Sequence, residues 1–99
     1  MILGIPVQYR FGNTIAAALT LNLSHGGVAI RTTSPLDAGT RLRVRFKLPG
    51  SGGDIDVEGR VAWSHRRVGM GIQFETIEAG CQAQIDNFVD AHFFSNRKA

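Results

Sequence analysis

Asn22, Ser24, His25, Gly26 and Gly27 stand together in NLSHGGVAI, residues 22–30, between the apolar runs AAALTL and VAIRT. An amide, a hydroxyl and an imidazole side by side can donate and accept hydrogen bonds to a polar ligand. The two glycines allow close approach to the backbone, or a positive φ. A plain hairpin needs only a tight turn such as Asn-Gly. Local capping of backbone groups by Asn and Ser is the ordinary alternative. Capping accounts well for the glycines and less well for Asn22 and Ser24 together.

Other reactive residues carry weaker signals. Ser24 and His25 are adjacent, so in a strand or loop they point apart, and no carboxylate follows at an orienting distance. The chain therefore reads as a non-enzyme. His25, His65, His92 and Cys81 lack metal-ligand spacing, so no metal or cofactor is expected. His92 and Cys81 read as packed side chains of an apolar helix face. GMGIQF lies within a strand rather than opening a helix, so it is no dinucleotide fingerprint. Gly69 and Gly71 read instead as sites of sharp bending or close packing.

The arginines invite a phosphate reading. The net charge is +3, and arginine, which suits bidentate phosphate contacts, outnumbers lysine. Arg41, Arg43 and Arg45 alternate along one strand face. Folding the chain about LPGSGG, however, brings Arg45 opposite Asp56 and Arg43 opposite Glu58. The same register sets Leu42, Val44 and Phe46 against Gly59, Val57 and Ile55. One register satisfies both faces, so the stripe reads as cross-strand ion pairs. Arg41 faces Arg60, and that end is left for an anion. Basic barrels that bind single-stranded nucleic acid present exposed aromatics for stacking. Here most aromatic residues fall at inward or helix-face positions, so nucleic acid is an unlikely partner on sequence grounds.

The elements that must position these residues follow from period-two alternation up to about residue 75. IPVQYRF, TIAAALTL, VAIRTT, RLRVRFKL, DIDVEGRVAW and GMGIQFE read as six strands. GNT, SPLDAGT, PGSGG and SHRRV connect them. Ile55, Val57, Val61 and Trp63 are expected inward, with Gly59 among them. Short, evenly spaced strands with Gly-rich turns indicate a small antiparallel barrel or sandwich. In TIEAGCQAQIDNFVDAHFF, Ile77, Cys81, Ile85, Phe88, Val89 and Phe93 fall at helical spacing. Thr76 is the expected cap, Glu78 lies in the first turn, and SNRKA reads as a frayed end. The reading is therefore one all-β domain over residues 1–99, with strands over about 5–75 and a C-terminal helix over about 77–94. The single cysteine excludes an internal disulfide framework and fits a reducing, cytoplasmic compartment. No apolar run approaches the roughly 18 residues of a membrane span, and MILGIPVQYR lacks the features of a signal peptide.

On these residues the chain resembles the PilZ domain family. NLSHGG matches the family's Asn/Asp-x-Ser-x-x-Gly signature at Asn22, Ser24 and Gly27. PLDAGTRLRVRFKLP, VEGRVAW and VGMGIQF resemble its later strands in order and spacing, and the closing helix is similar. The resemblance implies a six-stranded antiparallel barrel with a C-terminal helix, of bacterial origin. It further implies binding of cyclic di-GMP, a doubly anionic dinucleotide, often as a stacked dimer. Asn22 and Ser24 would hydrogen-bond its base and phosphate region, and Gly27 would keep the turn open. Ligand binding would then change contacts with a protein partner or fused domain. The family's second motif, Arg-x-x-x-Arg ahead of the first strand, has no match in MILG. Arg41-x-x-x-Arg45 lies within a strand and is a decoy. The cations left to meet phosphate are Arg10, Arg31, Arg66 and Arg67, which implies weak binding. The alternative is a degenerate adaptor that binds no nucleotide and works through protein contacts.

Overall fold

The computed structural model describes residues 4–50 and 53–97, with residues 92–97 described by their backbone alone. Side-chain alternation produces six strands, β1 (Pro6–Phe11), β2 (Thr14–Leu23), β3 (Gly27–Arg31), β4 (Arg41–Lys47), β5 (Asp54–His65) and β6 (Gly69–Thr76), followed by α1 (Ala79–Arg97). They close into a barrel in the order β1-β2-β3-β6-β5-β4. Every neighbouring pair is antiparallel. Closure leaves no sheet edge unpaired. The expected six-stranded barrel with a C-terminal helix is the fold.

The β4–β5 hairpin has the register that charge and hydrophobicity demand together. Leu42, Val44 and Phe46 pair with Gly59, Val57 and Ile55, while Arg43 pairs with Glu58, Arg45 with Asp56 and Arg41 with Arg60. Arg43 meets the directly opposite Glu58, while the contacts of Arg43 with Asp56 and of Arg45 with Asp54 lean along one diagonal of the ladder, a reach open to long side chains. Arg43 donates to Asp56 at 2.6 Å and to Glu58 at 2.7 Å, and Arg45 takes Asp54 at 2.9 Å rather than the directly opposite Asp56. The hydrogen bond to Asp56, then its charge, raises the Arg43 guanidinium above the ordinary arginine value, with Glu58 adding to the effect. The end expected to remain open to an anion is filled. A bulge leaves Glu75 outside the pairing between Glu58–Thr76 and Gly59–Phe74. Its carboxylate sits 3.9 Å from Arg41 and 3.4 Å from Arg60.

The helix begins later than expected. Thr76 still pairs with Glu58 in the sheet, so it cannot cap a helix. Gln82 N–H donates to the Glu78 carbonyl at 2.9 Å, which makes Glu78 the N-cap position. Ser95, Asn96 and Arg97 continue the helix rather than fray. α1 closes the barrel with Ile85, which is fully buried, while Ile77, Cys81, Phe88 and Val89 pack half-buried around it. The side chains of His92 and Phe93 lie outside the described residues.

Thr20 is the one buried polar residue among those described. Its Oγ1 accepts from Gly4 N–H at 3.1 Å and Ile5 N–H at 2.9 Å, and donates to the Ile5 carbonyl at 3.2 Å. Thr20→Val keeps the shape and removes these bonds. It is expected to lower stability by about 1–3 kcal/mol, the cost of buried groups left without partners, as read by urea denaturation. A midpoint equal to the parent's would show that this clasp contributes nothing.

Candidate ligand-binding groove

Two bulges place the candidate site on the outside of the barrel. In β2, Thr20 pairs with Ile30 and Asn22 with Ala29, so Leu21 is an extra residue. The side-chain phase reverses there: Thr20 and Leu23 point in, and Asn22 points out. In β5, Val61 pairs with Ile72 and Trp63 with Gly71, so Ala62 is extra. Trp63 was expected inward; the reversed phase turns it out instead, 44% exposed. Bulges re-aim side chains in this way.

The two outward residues share one row of the ladder, in which Asn22 pairs with Ala29, Ala29 with Gly71, and Gly71 with Trp63. The indole ring lies over Gly71, where any Cβ would overlap Nε1, Cε2 and Cδ1 of Trp63. Gly27 is held as tightly, since a Cβ there would overlap the Ile72 carbonyl oxygen. Close approach to backbone therefore requires glycine at 27, whereas a side chain at 71 would displace the indole. The result is a groove of about 410 Å³ with Asn22 and Ser24 on one side, Ala29 and Gly27 along the floor, and Trp63 and Gln73 on the other. The exposed face of the indole is a stacking platform with a polar wall opposite.

The turn between β2 and β3 is fixed from three sides. Ser24 N–H donates to the Gly27 carbonyl at 2.9 Å and its hydroxyl to the same oxygen at 3.2 Å, so Ser24 caps its own turn. Phe74 N–H donates to the Gly26 carbonyl at 2.9 Å. From α1, Gln82 Nε2 donates to the His25 carbonyl at 2.8 Å, and His25 Nε2 lies 3.0 Å from Asp90 Oδ1. The helix is thus joined to the turn through His25, a link that the sequence alone did not reveal.

The structure divides the arginines expected to meet phosphate. Arg31 follows Ala29 on the outer face of β3, two residues and about 7 Å along the strand. With Arg66 and Arg67 it lines an adjoining groove of about 550 Å³. None of these three holds an ion pair among the described residues. Arg10 stands apart, lining another groove with Arg41, Arg43, Glu58 and Glu75. Its strand lies across the barrel from β6. Asn22, Ser24 and Gly27 come together, and Arg31, Arg66 and Arg67 come together beside them. Trp63 is the residue the sequence reading missed. The bare glycine at position 71, mid-strand between Met70 and Ile72, is the available signal that something lies over it.

Among the described residues no cluster of His, Cys, Asp and Glu is placed to hold a metal ion. Among them no helix is long and apolar enough to cross a membrane.

The barrel has relatives among solved structures. The Bacillus subtilis inhibitor of motility (MotI/DgrA) is 21% identical and aligns over 98% of this chain with a TM-score of 0.85. The chain spans 50% of the length of that protein. The PilZ domain of CeSA from a cellulose-synthesizing bacterium is 22% identical, with a TM-score of 0.69 over 92% of this chain and 94% of the other. No curated protein matches the chain in sequence. The PilZ domain model matches residues 1–91, from ahead of β1 into the closing helix. A match of that extent, on a barrel carrying the Asn-x-Ser-x-x-Gly turn where β2 hands over to β3, means that the chain belongs to the PilZ domain family.

Proposed function

We propose that this domain binds cyclic di-GMP in the groove between Asn22 and Trp63 and relays the bound state to a protein partner. PilZ domains are binding and adaptor modules of bacterial cyclic di-GMP signalling. The observation that carries the reading for this chain is the shared row from Asn22 to Trp63, adjoined by three arginines that hold no ion pair among the described residues. In this reading a guanine stacks on the indole, Asn22 and Ser24 hydrogen-bond the ligand, and Gly27 admits it to the floor. Arg31, Arg66 and Arg67 attract the phosphates, and Arg10 takes no part. No bond is made or broken. The helix senses the ligand through His25, which joins the turn to Gln82 and Asp90. The unpaired thiol of Cys81 fits a reducing cytoplasm.

Energetics set the expected strength. Neutral hydrogen bonds contribute about 0.5–1.5 kcal/mol each, and stacking about 1–3 kcal/mol per base. A dianion also needs close cations, and residues 1–5 carry no arginine. Binding by the 99 residues is therefore weak, and an added N-terminal segment bearing Arg-x-x-x-Arg tightens it. Calorimetric titration of both forms checks this. Ser24→Ala in the extended form is expected to weaken binding by about three- to ten-fold, the equivalent of one neutral hydrogen bond. An extended form that gives no heat with excess cyclic di-GMP would leave the adaptor reading in its place. One observation favours that second reading: the Ser24 hydroxyl is already used within its own turn.

A further inference from the structure

We infer that the groove between β2, the end of β3 and the β5–β6 turn docks an acidic segment of a partner protein that carries a large apolar side chain. Two independent features of the surface meet there. The first is exposed hydrocarbon. Ile15, Leu19 and Val68 are 65%, 49% and 42% exposed, and with Trp63 they are the large hydrophobic side chains left in solvent among the described residues. Ile15, Ala17 and Leu19 alternate along the outer face of β2, a strip about 13 Å long. Leu19 and Val68 both line the groove.

The second feature is charge of one sign. The lining contains Arg31, Arg66 and Arg67 and no acidic residue. On β4 and β5 the arginines behave differently. Arg41, Arg43, Arg45 and Arg60 each lie beside a carboxylate of the chain. A basic rim without counter-ions around an apolar floor is complementary to an anionic ligand with an apolar anchor.

The same features select the occupant. A two-fold contact with a second copy would bring one arginine rim against the other. Most of the chain's own acids are engaged elsewhere: Asp54, Asp56, Glu58 and Glu75 hold arginines, and Asp86 and Asp90 face His25. Nucleic acid would find phosphate contacts but no aromatic side chain in this lining on which to stack a base. An acidic peptide segment uses both the rim and the floor. The two grooves share no lining residue, but the three arginines here are those assigned to the phosphates of the nucleotide, so the test is made without nucleotide.

The probe is the synthetic peptide acetyl-Glu-Asp-Phe-Leu-Asp-Glu-amide, titrated into the labelled domain and followed by amide chemical shifts. The expected result is a set of shifts confined to residues 17–19, 31–33 and 66–68. A control peptide with serine in place of Phe and Leu is expected to bind about ten-fold more weakly, the loss typical of a buried apolar anchor. The double substitution Leu19→Ser with Val68→Ser alters only exposed side chains. It should cause the same loss with an unchanged circular dichroism spectrum. The absence of shifts at these residues, equal binding of the serine control, or tighter binding of a short oligothymidylate would each overturn the proposal. Cyclic di-GMP titrated separately reads out at residues 22–27 and Trp63, so the two assignments fail or stand apart.

Discussion

Ile85→Ala is expected to lower the stability of the domain by about 2–5 kcal/mol, the usual cost of cutting a fully buried isoleucine back to alanine. Ile85 has no exposed surface, and it is the side chain of α1 that enters the core completely among those described. Its neighbours on the helix are only partly covered, so their truncation costs less than that of Ile85. For a domain of this size the melting temperature moves by about 4–8 °C for each kcal/mol, so the loss is large in a thermal melt. Phe88→Ala would reach the ~3–5 kcal/mol of a fully buried ring only if the ring were enclosed. It is half-buried, so a smaller loss is expected. The helix also holds the β2–β3 turn through Gln82 and Asp90, so Ile85→Ala should broaden the amide signals of that turn below the melt. Equal melts for parent and variant would mean that α1 does not close the barrel.

The second large effect is on binding. Trp63→Ala removes the stacking platform, worth about 1–3 kcal/mol per base, which corresponds to roughly a five- to 150-fold loss of affinity for cyclic di-GMP. Trp63→Phe should recover part of it. Gly71→Val reaches the same end by another route, because its Cβ would occupy the space of the indole ring. The chain has a single tryptophan, so its fluorescence reports on this groove alone. Quenching of the parent by ligand, lost in Gly71→Val, is the expected pattern. Unchanged affinity in Trp63→Ala would place the guanine elsewhere.

The strands and their inward faces were legible because alternation over β4 and the first half of β5 is nearly perfect, and opposite charges agree with it. The site was only half legible, for one physical reason. Alternation carries phase forward along a strand, and a bulge resets it without leaving a mark in the pattern. The extra residues Leu21 and Ala62 are ordinary apolar residues, neither glycine nor proline, so nothing in their identity announces a change of face. Asn22 stands out in the sequence because its polarity is out of place between apolar neighbours. Trp63 reads as inward because an aromatic residue in phase with Val61 looks like core. The bulge at Glu75 is equally unmarked in the sequence, and it is what closes the arginine end of the stripe. The contact of His25 with α1 joins residues far apart in sequence and has no local signature at all.

The most direct test of the account is an amide chemical-shift map of the domain, extended by an N-terminal Arg-x-x-x-Arg segment, with excess cyclic di-GMP. The account predicts shifts at residues 22–27, at the indole N–H of Trp63 and at residues 71–73, with smaller ones at Gln82 and Asp90 through His25. A map without shifts in that row, or with shifts centred on Arg10, Arg41 and Arg43 in the groove that Arg10 lines, would contradict it.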